Sequence, residues 1–388
     1  MKKVSRKIPL YRLKVSPQAI KEVNNSLKSG WLSPGPKVAS FEKAICKLMH
    51  SRYSALVGSA TVGIELALTA VGAMSLKEII TTPFTFVATV HAIMATGATP
   101  VFADIDAHTL NIDPEEVERK ITKRTVAIIP VDIGGYPADY DALDKICDDK
   151  KLPLIADAAH SIGTLYKGNP VTHYSNVAVI SFHATKNLFC GEGGVVLSDN
   201  KSFIEAIKIM SQHGITASAY QRKTAHKWEY DAILPGFKAN MSELHAAIGL
   251  GQLTVFKKEQ EKRRQLGERY LKNLAGLSTY LELPIVDKPS KHGWHLFIIK
   301  LHLSALKIDR NRFIKLMSNY GVECGVHFKP IFDLSYYRRN LQLNPQHFPN
   351  TVYASKRVVT LPLYPSLSYA DIDYISDCIS KIVKKYAR

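Results

Sequence analysis

Cysteine is scarce. The five residues, Cys46, Cys147, Cys190, Cys324 and Cys378, are odd in number, widely separated and form no C-x-x-C pair. This argues against a disulfide framework or a zinc site and fits a reducing compartment. No metal site is expected. Cys190 reads as a small buried residue, since no partner base is visible beside it. No uninterrupted apolar run of about 18 residues occurs, so no membrane span is expected. The basic start, MKKVSRKIPLYRLKVSP, lacks an apolar h-region and a small-residue cleavage site, so it does not read as a secretory signal. The chain is expected in the cytoplasm. No internal repeat, low-complexity tract, zinc finger or RRM signature is present. Acidic residues are outnumbered, 34 against 51 lysines and arginines, for a net charge of +17. Such a charge draws in phosphorylated or polyanionic partners. The basic residues are dispersed, however, and the densest run, KKEQEKRRQ at 257–265, is interrupted by glutamates and reads as one exposed helix face. No nucleic-acid partner is expected.

What is present is an alternation. Among the 388 residues, β-branched runs at 54–58, 78–83, 99–105, 125–131, 152–158, 176–182 and 193–199 are separated by helical stretches that include 61–72, 86–96, 139–150 and 201–212. That order predicts a mostly parallel sheet covered on both faces. NIDPEEVERKI at 111–121 carries a helix start, with Asp113 as cap, Pro114 at the first helical position and acids in the first turn. Residues 241–274 have helical periodicity. Beyond them a strand at 294–301 mixes with helices at 309–320 and 369–386. Two domains are expected, 1–255 and 256–388.

In open α/β sheets ligands bind beyond the carboxyl ends of strands, and three such ends carry unusual residues. VGSATVGIELAL (57–68) opens a helix with Ser59, Ala60 and Thr61, a start suited to phosphate. Taken alone, an ordinary N-cap by Ser59 or Thr61 accounts for it. LIADAAHSIG (154–163) ends an apolar strand on Asp157, a carboxylate costly to bury without a partner. A helix cap is the competing reading for Asp157, and a satisfied loop histidine the competing one for His160. SFHATKNLFCGEGG (181–194) places Ser181 at a strand end and Lys186 in the loop after it. That lysine is a nucleophile only if desolvation or a neighbouring cation keeps part of its amine neutral. A phosphate site, a carboxylate and an amine at one sheet edge meet the needs of pyridoxal 5′-phosphate (PLP). The amine joins its aldehyde, the carboxylate keeps its ring nitrogen protonated, and the helix start anchors its phosphate. Phe86, in PFTFVAT, is the candidate to stack on the ring, with core packing as the alternative.

The stretches GWLSPGPKVASFE, GSATVGIELAL, TTPFTFVAT, PVFADIDAHTLNIDP, ADAAHSIGT, SFHATKNLFCGEGGVVLSD, PGFKANMSELHAAIGLGQL, GVHFKPI and LPLYPSL, in this order, resemble successive motifs of the DegT/DnrJ/EryC1/StrS family of PLP-dependent nucleotide-sugar aminotransferases. The resemblance runs from about residue 8 to the C-terminus. It implies an α/β fold of the type I, aspartate-aminotransferase kind with a smaller C-terminal α/β domain. It makes Lys186 the lysine that carries the cofactor and shuttles protons, Asp157 the partner of the ring nitrogen and His160 a contact of the ring oxygen. Ser181, Ala60 and Thr61 fall on phosphate-binding positions and Phe86 on the stacking position. Asn240, in PGFKAN, matches an asparagine that reaches the phosphate from a second subunit, which implies a homodimer with shared sites; a cap of its own helix is the alternative. Two departures stand out: Gly63 where the family usually has alanine, and DIGGYP at 132–137, which bears on the substrate pocket. Lys186 argues against the sugar dehydratases of the family, in which histidine replaces the lysine.

The implied reaction takes the amino group of L-glutamate and delivers it to a nucleotide-linked keto sugar, as in polysaccharide biosynthesis. His327, in GVHFKP, and the loop 213–224, with Tyr220 and Arg222, resemble substrate-side segments of members acting on UDP-4-keto sugars. The alternatives are a dTDP-3-keto or GDP-4-keto sugar enzyme and, from a different class, a PLP-binding regulator.

Overall fold

The computed structural model describes residues 6–217, 219–226, 228–287 and 290–388, without the side chain of Gln221. Ser218, inside the loop singled out above, lies outside the described residues, as do residues 1–5 of the basic start.

Seven strands build the main sheet: β1 (Tyr53–Val57), β2 (Glu78–Thr81), β3 (Thr99–Phe102), β4 (Thr125–Ile128), β5 (Ile155–Asp157), β6 (Val177–Ser181) and β7 (Gly194–Ser198). They run in the orders β3-β2-β4 and β5-β6-β7-β1. Parallel bridges from Ile128 to Leu154 and from Val131 to Asp157 join the two. Strands β2, β3 and β4 are parallel, as are β5 and β6, while β7 is antiparallel to both β6 and β1. The expected mostly parallel sheet is therefore found. Every residue of β6 and β7 is buried, which is why both read as unbroken apolar runs.

The helices are α1 (Pro17–Ser29), α2 (Pro36–Met49), α3 (Ala60–Ala70), α4 (Val87–Ala95), α5 (Pro114–Lys120), α6 (Tyr140–Lys150), α7 (Lys201–Met210), α8 (Ala219–Thr224), α9 (Glu243–Leu274), α10 (Arg310–Asn319), α11 (Ser335–Asn340), α12 (Pro349–Ser355) and α13 (Tyr369–Lys385). Asp113 caps α5 by accepting from the Glu115 N–H at 2.9 Å, with Pro114 at the first position as expected. Gly63 in α3 has a packing reason. A Cβ there would stand 2.9 Å from Val179 Cγ1, so the bare backbone lets α3 lie close on β6.

Helix α2 starts at a glycine with no side-chain cap of its own. Its orphan donors are met from far along the chain. Buried Glu243 accepts from the backbone N–H groups of Gly35 at 2.7 Å, Lys37 at 2.9 Å and Val38 at 2.9 Å. A carboxylate at a helix N-terminus is favoured by both hydrogen bonds and dipole. GWLSPGPK and MSELHAA are thereby clamped together.

Helix α9 runs unbroken for 32 residues and joins two cores. Phe256 belongs to the core under the main sheet, and Leu266, Tyr270 and Leu274 belong to a second one. The second core is built on an antiparallel sheet of β8 (Leu281–Glu282), β9 (Phe297–Leu301) and β10 (Val358–Leu361), together with α10 and α13. Ile8 packs into it. The run 257–265 is not one exposed face. Arg263 is buried and Glu259, Gln260 and Lys262 are half-buried: Arg263 donates to the Trp294 and Leu363 carbonyls and Gln260 to the Gly293 carbonyl. No helix is long and apolar enough to cross a membrane among the described residues. The five cysteines are free, and burial pushes the Cys190 thiol up, away from reactivity.

Candidate active site

The carboxyl ends of the central strands converge on a cavity of about 470 Å³. Ala60, Thr61, Phe86, Asp157, His160, Ser181, Lys186 and His327 all line it. The rest of the anticipated set lies elsewhere. Asn240 and Tyr220 line a separate groove beside α2 and α7. Tyr220 stands 5.4 Å from Trp31, ring to ring, and the Arg222 guanidinium lies 4.4 Å over Tyr230. Asn240 does not cap α9, whose cap is Ser242, accepting from the His245 N–H at 3.3 Å. Instead Asn240 Oδ1 accepts from Lys238 Nζ at 2.8 Å.

Lys186 is set by a tight turn after β6, its N–H donating to the His183 carbonyl at 2.9 Å. Its amine has no hydrogen-bonded or ion-paired partner among the described residues. Desolvation lowers its pKa to about 8, with the Asp157 charge opposing the shift. About a tenth of the amine is therefore neutral at pH 7, far more than in a solvated lysine.

Asp157 ends β5 and is buried. Its Oδ2 accepts from Thr89 Oγ1 at 2.7 Å, and Thr89 is in turn 2.9 Å from Thr85 Oγ1. Its Oδ1 accepts from the Ala159 N–H at 3.3 Å. No helix begins after it, so Asp157 is not a helix cap. Burial raises its pKa, and Thr89, Ala159 and Lys186 pull the other way. Among the described residues no cation pairs with it, so a cationic group in the cavity would relieve the cost of its burial.

His160 is held from behind. Gly134 donates its N–H to His160 Nδ1 at 3.2 Å, which puts the ring proton on Nε2. A Cβ on Gly135 would lie 2.9 Å from the His160 carbonyl oxygen, and Gly135 has φ +91°. The DIGGYP stretch therefore acts as the backing of His160. Asp132 anchors it, accepting from Ser161 Oγ at 2.6 Å, Tyr140 OH at 3.0 Å and the Ala138 N–H at 2.9 Å.

At the start of α3, Ser59 does act as the cap, accepting from the Val62 N–H at 3.3 Å. The N–H groups of Ala60 and Thr61 precede the intrahelical ladder and stay free for an anion. Gly194 makes room beside them, since a Cβ on it would meet Ala60 N at 2.6 Å. Ser181 ends β6 next to this helix start. Phe86 is 58% exposed, so it is not core packing and can cover a flat ring.

His295 was not anticipated, although it lines the cavity. Its ring lies 4.4 Å from that of His160. Asn187 donates Nδ2 to the Gly293 carbonyl at 2.7 Å and to Gln260 Oε1 at 3.1 Å. Its Oδ1 is therefore the acceptor for His295 Nδ1–H at 3.3 Å, leaving the other nitrogen of His295 a bare acceptor. Burial holds both histidines neutral, their pKa values well below the usual histidine range. His327, 2.8 Å from Thr360 Oγ1, is lowered to about 4 by burial and by Lys186. Only a polar residue opening the apolar run WHLFIIKL hinted at His295.

A model of the DegT/DnrJ/EryC1/StrS aminotransferase family matches residues 14–380. The chain belongs to this family. It is thus a PLP-dependent sugar aminotransferase of fold type I. The chain is 38% identical over 375 residues to the spore coat polysaccharide biosynthesis protein SpsC of Bacillus subtilis (strain 168), covering 95% of each. The PLP form of Spr1654 from Streptococcus pneumoniae superposes with a TM-score of 0.88 at 29% identity, over 97% of this chain and 99% of that one. Helicobacter pylori PseC, an aminotransferase involved in the biosynthesis of pseudoaminic acid, gives 0.90 at 25% identity over 98% and 100%. In the family's terms, the cavity around Lys186 has the donors, carboxylate and amine that PLP requires.

Proposed function

We propose that this sugar aminotransferase moves the amino group of L-glutamate onto a nucleotide-linked keto sugar, and that the acceptor is a UDP-4-keto sugar. The observation that carries the reading is one cavity lined by Lys186 and by the buried Asp157 carboxylate, neither of them ion-paired among the described residues, with Phe86 and the start of α3 around them. PLP, when bound, supplies the aldehyde carbon to which amines attach and the ring that draws off electrons. The N–H groups of Ala60 and Thr61 and the Ser181 hydroxyl hold the phosphate. Asp157 holds a proton on the ring nitrogen and is itself stabilised as an anion by it. Thr89 keeps that carboxylate aimed. His160 donates Nε2–H to the ring oxygen, its tautomer set by Gly134. Phe86 covers the ring face and excludes water. Lys186 would take the proton from the α-carbon of the donor and, as the ammonium, would give a proton to the former keto carbon of the sugar, so one amine would act as base and as acid.

The UDP-4-keto assignment rests on the likeness of segments 213–224 and 236–240, and on His327 at the cavity wall. We assign Tyr220 and Arg222 to the sugar-nucleotide side, and Asn240 to the phosphate held by a second subunit. The working unit is then a homodimer, since all three lie away from the Lys186 cavity of their own chain. We assign a PLP-binding unit, 1–255, and a smaller unit, 256–388, on the support of the two cores joined by α9, with Ile8 and Phe256 each packing into the other unit's core. We place the enzyme in the cytoplasm.

The test is amino transfer from L-glutamate to a panel of UDP-, dTDP- and GDP-linked keto sugars. Amination of a UDP-4-keto sugar is expected. Activity on a dTDP-3-keto or GDP-4-keto sugar alone would overturn the acceptor assignment, and cofactor binding with no transfer to any sugar would favour a regulator.

A further inference from the structure

His295 has no part in the chemistry above, yet it lines the Lys186 cavity and is only 8% exposed. Its protonation is fixed by one backbone oxygen. The Gly293 carbonyl can only accept, and it accepts from Gln260 Nε2 at 2.6 Å and from Asn187 Nδ2 at 2.7 Å. These bonds orient both amides. Gln260 Oε1 then accepts from Asn187 Nδ2 at 3.1 Å. Asn187 Oδ1 is left against His295 Nδ1 at 3.3 Å, where only a donor fits. The proton of the neutral ring is therefore on Nδ1, and Nε2 carries a lone pair. Among the described residues, Nε2 makes no hydrogen bond, and the unpartnered side-chain atoms sealed from solvent are Ser26 Oγ and Arg263 Nε. His295 Nε2 therefore keeps access, and the cavity is what its residue lines. The His160 ring, 4.4 Å away, is set the other way round by Gly134 and presents a donor.

Lys186 needs such an acceptor. Whenever it takes a proton it becomes an ammonium with three donors, in a place where desolvation already disfavours the charge. Asp157 already accepts from Thr89 and Ala159 and is assigned to the ring nitrogen. Ser181 and the start of α3 are assigned to the phosphate. Two neutral imidazoles remain on the wall, His295 and His327. Burial keeps both neutral, and the Lys186 charge is among the further causes, so both lie within its electrostatic reach. The partner of His327, Thr360 Oγ1 at 2.8 Å, can donate or accept, so the His327 proton is not fixed. The His295 proton is, and the asparagine that fixes it is the residue next to Lys186.

We infer that His295 is a positioning residue for Lys186: its Nε2 accepts a hydrogen bond from the ammonium and steadies the amine while it carries the proton. The inference rests on the reading of Lys186 as the proton-carrying amine. No proton passes to His295, because burial disfavours the imidazolium.

The experiment titrates Lys186 in the full chain, both cofactor-free and after L-glutamate has freed the amine, by trace acetylation followed by peptide mass spectrometry. Wild type is compared with His295→Leu and His295→Gln. The wild-type midpoint is expected at about 8. Leucine removes an acceptor that favours the charged form, so the midpoint should fall to about 7. Glutamine brings a carbonyl oxygen and should restore it. The rate constant of the L-glutamate half-reaction should fall about tenfold in His295→Leu, with KM moved less than about twofold. Asp157, His160, His183, Glu192 and His327 also face the cavity. Arg12, Lys14, Lys258, Glu259, Lys262 and Arg263 line a groove that reaches Lys186 from another side. All stay unchanged in both variants, so the difference between the variants reads position 295. In the wild-type chain carrying ¹⁵N-labelled histidine, the His295 Nε2 resonance, identified by its loss in His295→Gln, should sit in the unprotonated range and move as Lys186 titrates. That measurement stands even where the leucine variant does not fold.

An unchanged midpoint in His295→Leu would overturn the inference, as would an equal fall in His295→Gln. A midpoint raised in both variants toward that of a solvated lysine would mark a packing role and also overturn it. A fall in His327→Leu without one in His295→Leu would give the role to His327, and a protonated Nε2 resonance would remove the acceptor altogether. If borohydride reduction places the cofactor on another lysine, the reading of Lys186 fails, while the titration still reports whether His295 holds its ammonium.

Discussion

Two sets of residues carry the anticipated chemistry, and the fold treats them differently. Ala60, Thr61, Asp157, Ser181 and Lys186 sit at or just beyond the ends of β1, β5 and β6, and the sheet brings them to one cavity. Tyr220, Asn240 and Arg222 lie on or near α8 and the segment before α9, two of them on another groove. Strand ends are placed by hydrogen-bond registers inside a buried sheet, so their mutual geometry is complete within one chain. The second set has no such frame on its own chain. The difference teaches that the strand-end set is assembled within one chain, while Tyr220, Arg222 and Asn240 lie apart from the cavity that this set lines.

The sharpest break of this comparison falls on the strand-end set. Lys186→Ala should lower steady-state amino transfer by at least about 10³-fold, the range of a lost acid–base group, and abolish the cofactor's attachment band. Near-normal turnover by this variant would remove the lysine from the mechanism. Asp157→Ala follows, with a loss of roughly 10²-fold in proton abstraction from L-glutamate and a smaller change in cofactor retention, because the phosphate contacts remain. A wild-type rate in stopped-flow would reduce Asp157 to a structural acceptor for Thr89.

The depressed lysine pKa gives a third test within the same set. The neutral amine is the form that captures the cofactor, and the folded pKa is lowered to about 8. Capture by the apoenzyme should therefore rise about tenfold between pH 7 and pH 9 and then level off. A rate that keeps climbing toward pH 10.5 would mean that the lysine is solvated.

The smallest effect probes the second set. Asn240→Ala should weaken cofactor retention a few-fold. Mixed with Lys186→Ala under subunit exchange, it should regain activity above either variant alone if, as proposed, the site with the intact lysine draws its asparagine from the other subunit. Verified mixed dimers without that gain would confine Asn240 to its own chain, where it accepts from Lys238.

Legibility in the sequence followed the same divide. The seven strands were readable because buried strands are short apolar runs between helices, and each was found within a few residues. Strand ends then pointed to Lys186 and Asp157, since ligands gather there. Contacts made across long separations were not readable. Thr89 meets Asp157 from 68 residues away, Glu243 holds Gly35 across 208, and His295 meets Asn187 across 108. Nothing in local spacing encodes such meetings. The run 257–265 misled for a related reason: its charge pattern looks solvated, but Arg263 is buried and donates to the carbonyls of Trp294 and Leu363, 31 and 100 residues away. Phe86 was ambiguous between core and ring cover, and only its exposure separates the two.

The most direct measurement of the central claim is borohydride reduction of the holoenzyme, which fixes the cofactor to whichever amine holds it, followed by peptide mass spectrometry. The account predicts the added mass on Lys186 alone, removed when L-glutamate is supplied before reduction. The label on another lysine, or on Lys186 but unmoved by L-glutamate, would contradict it.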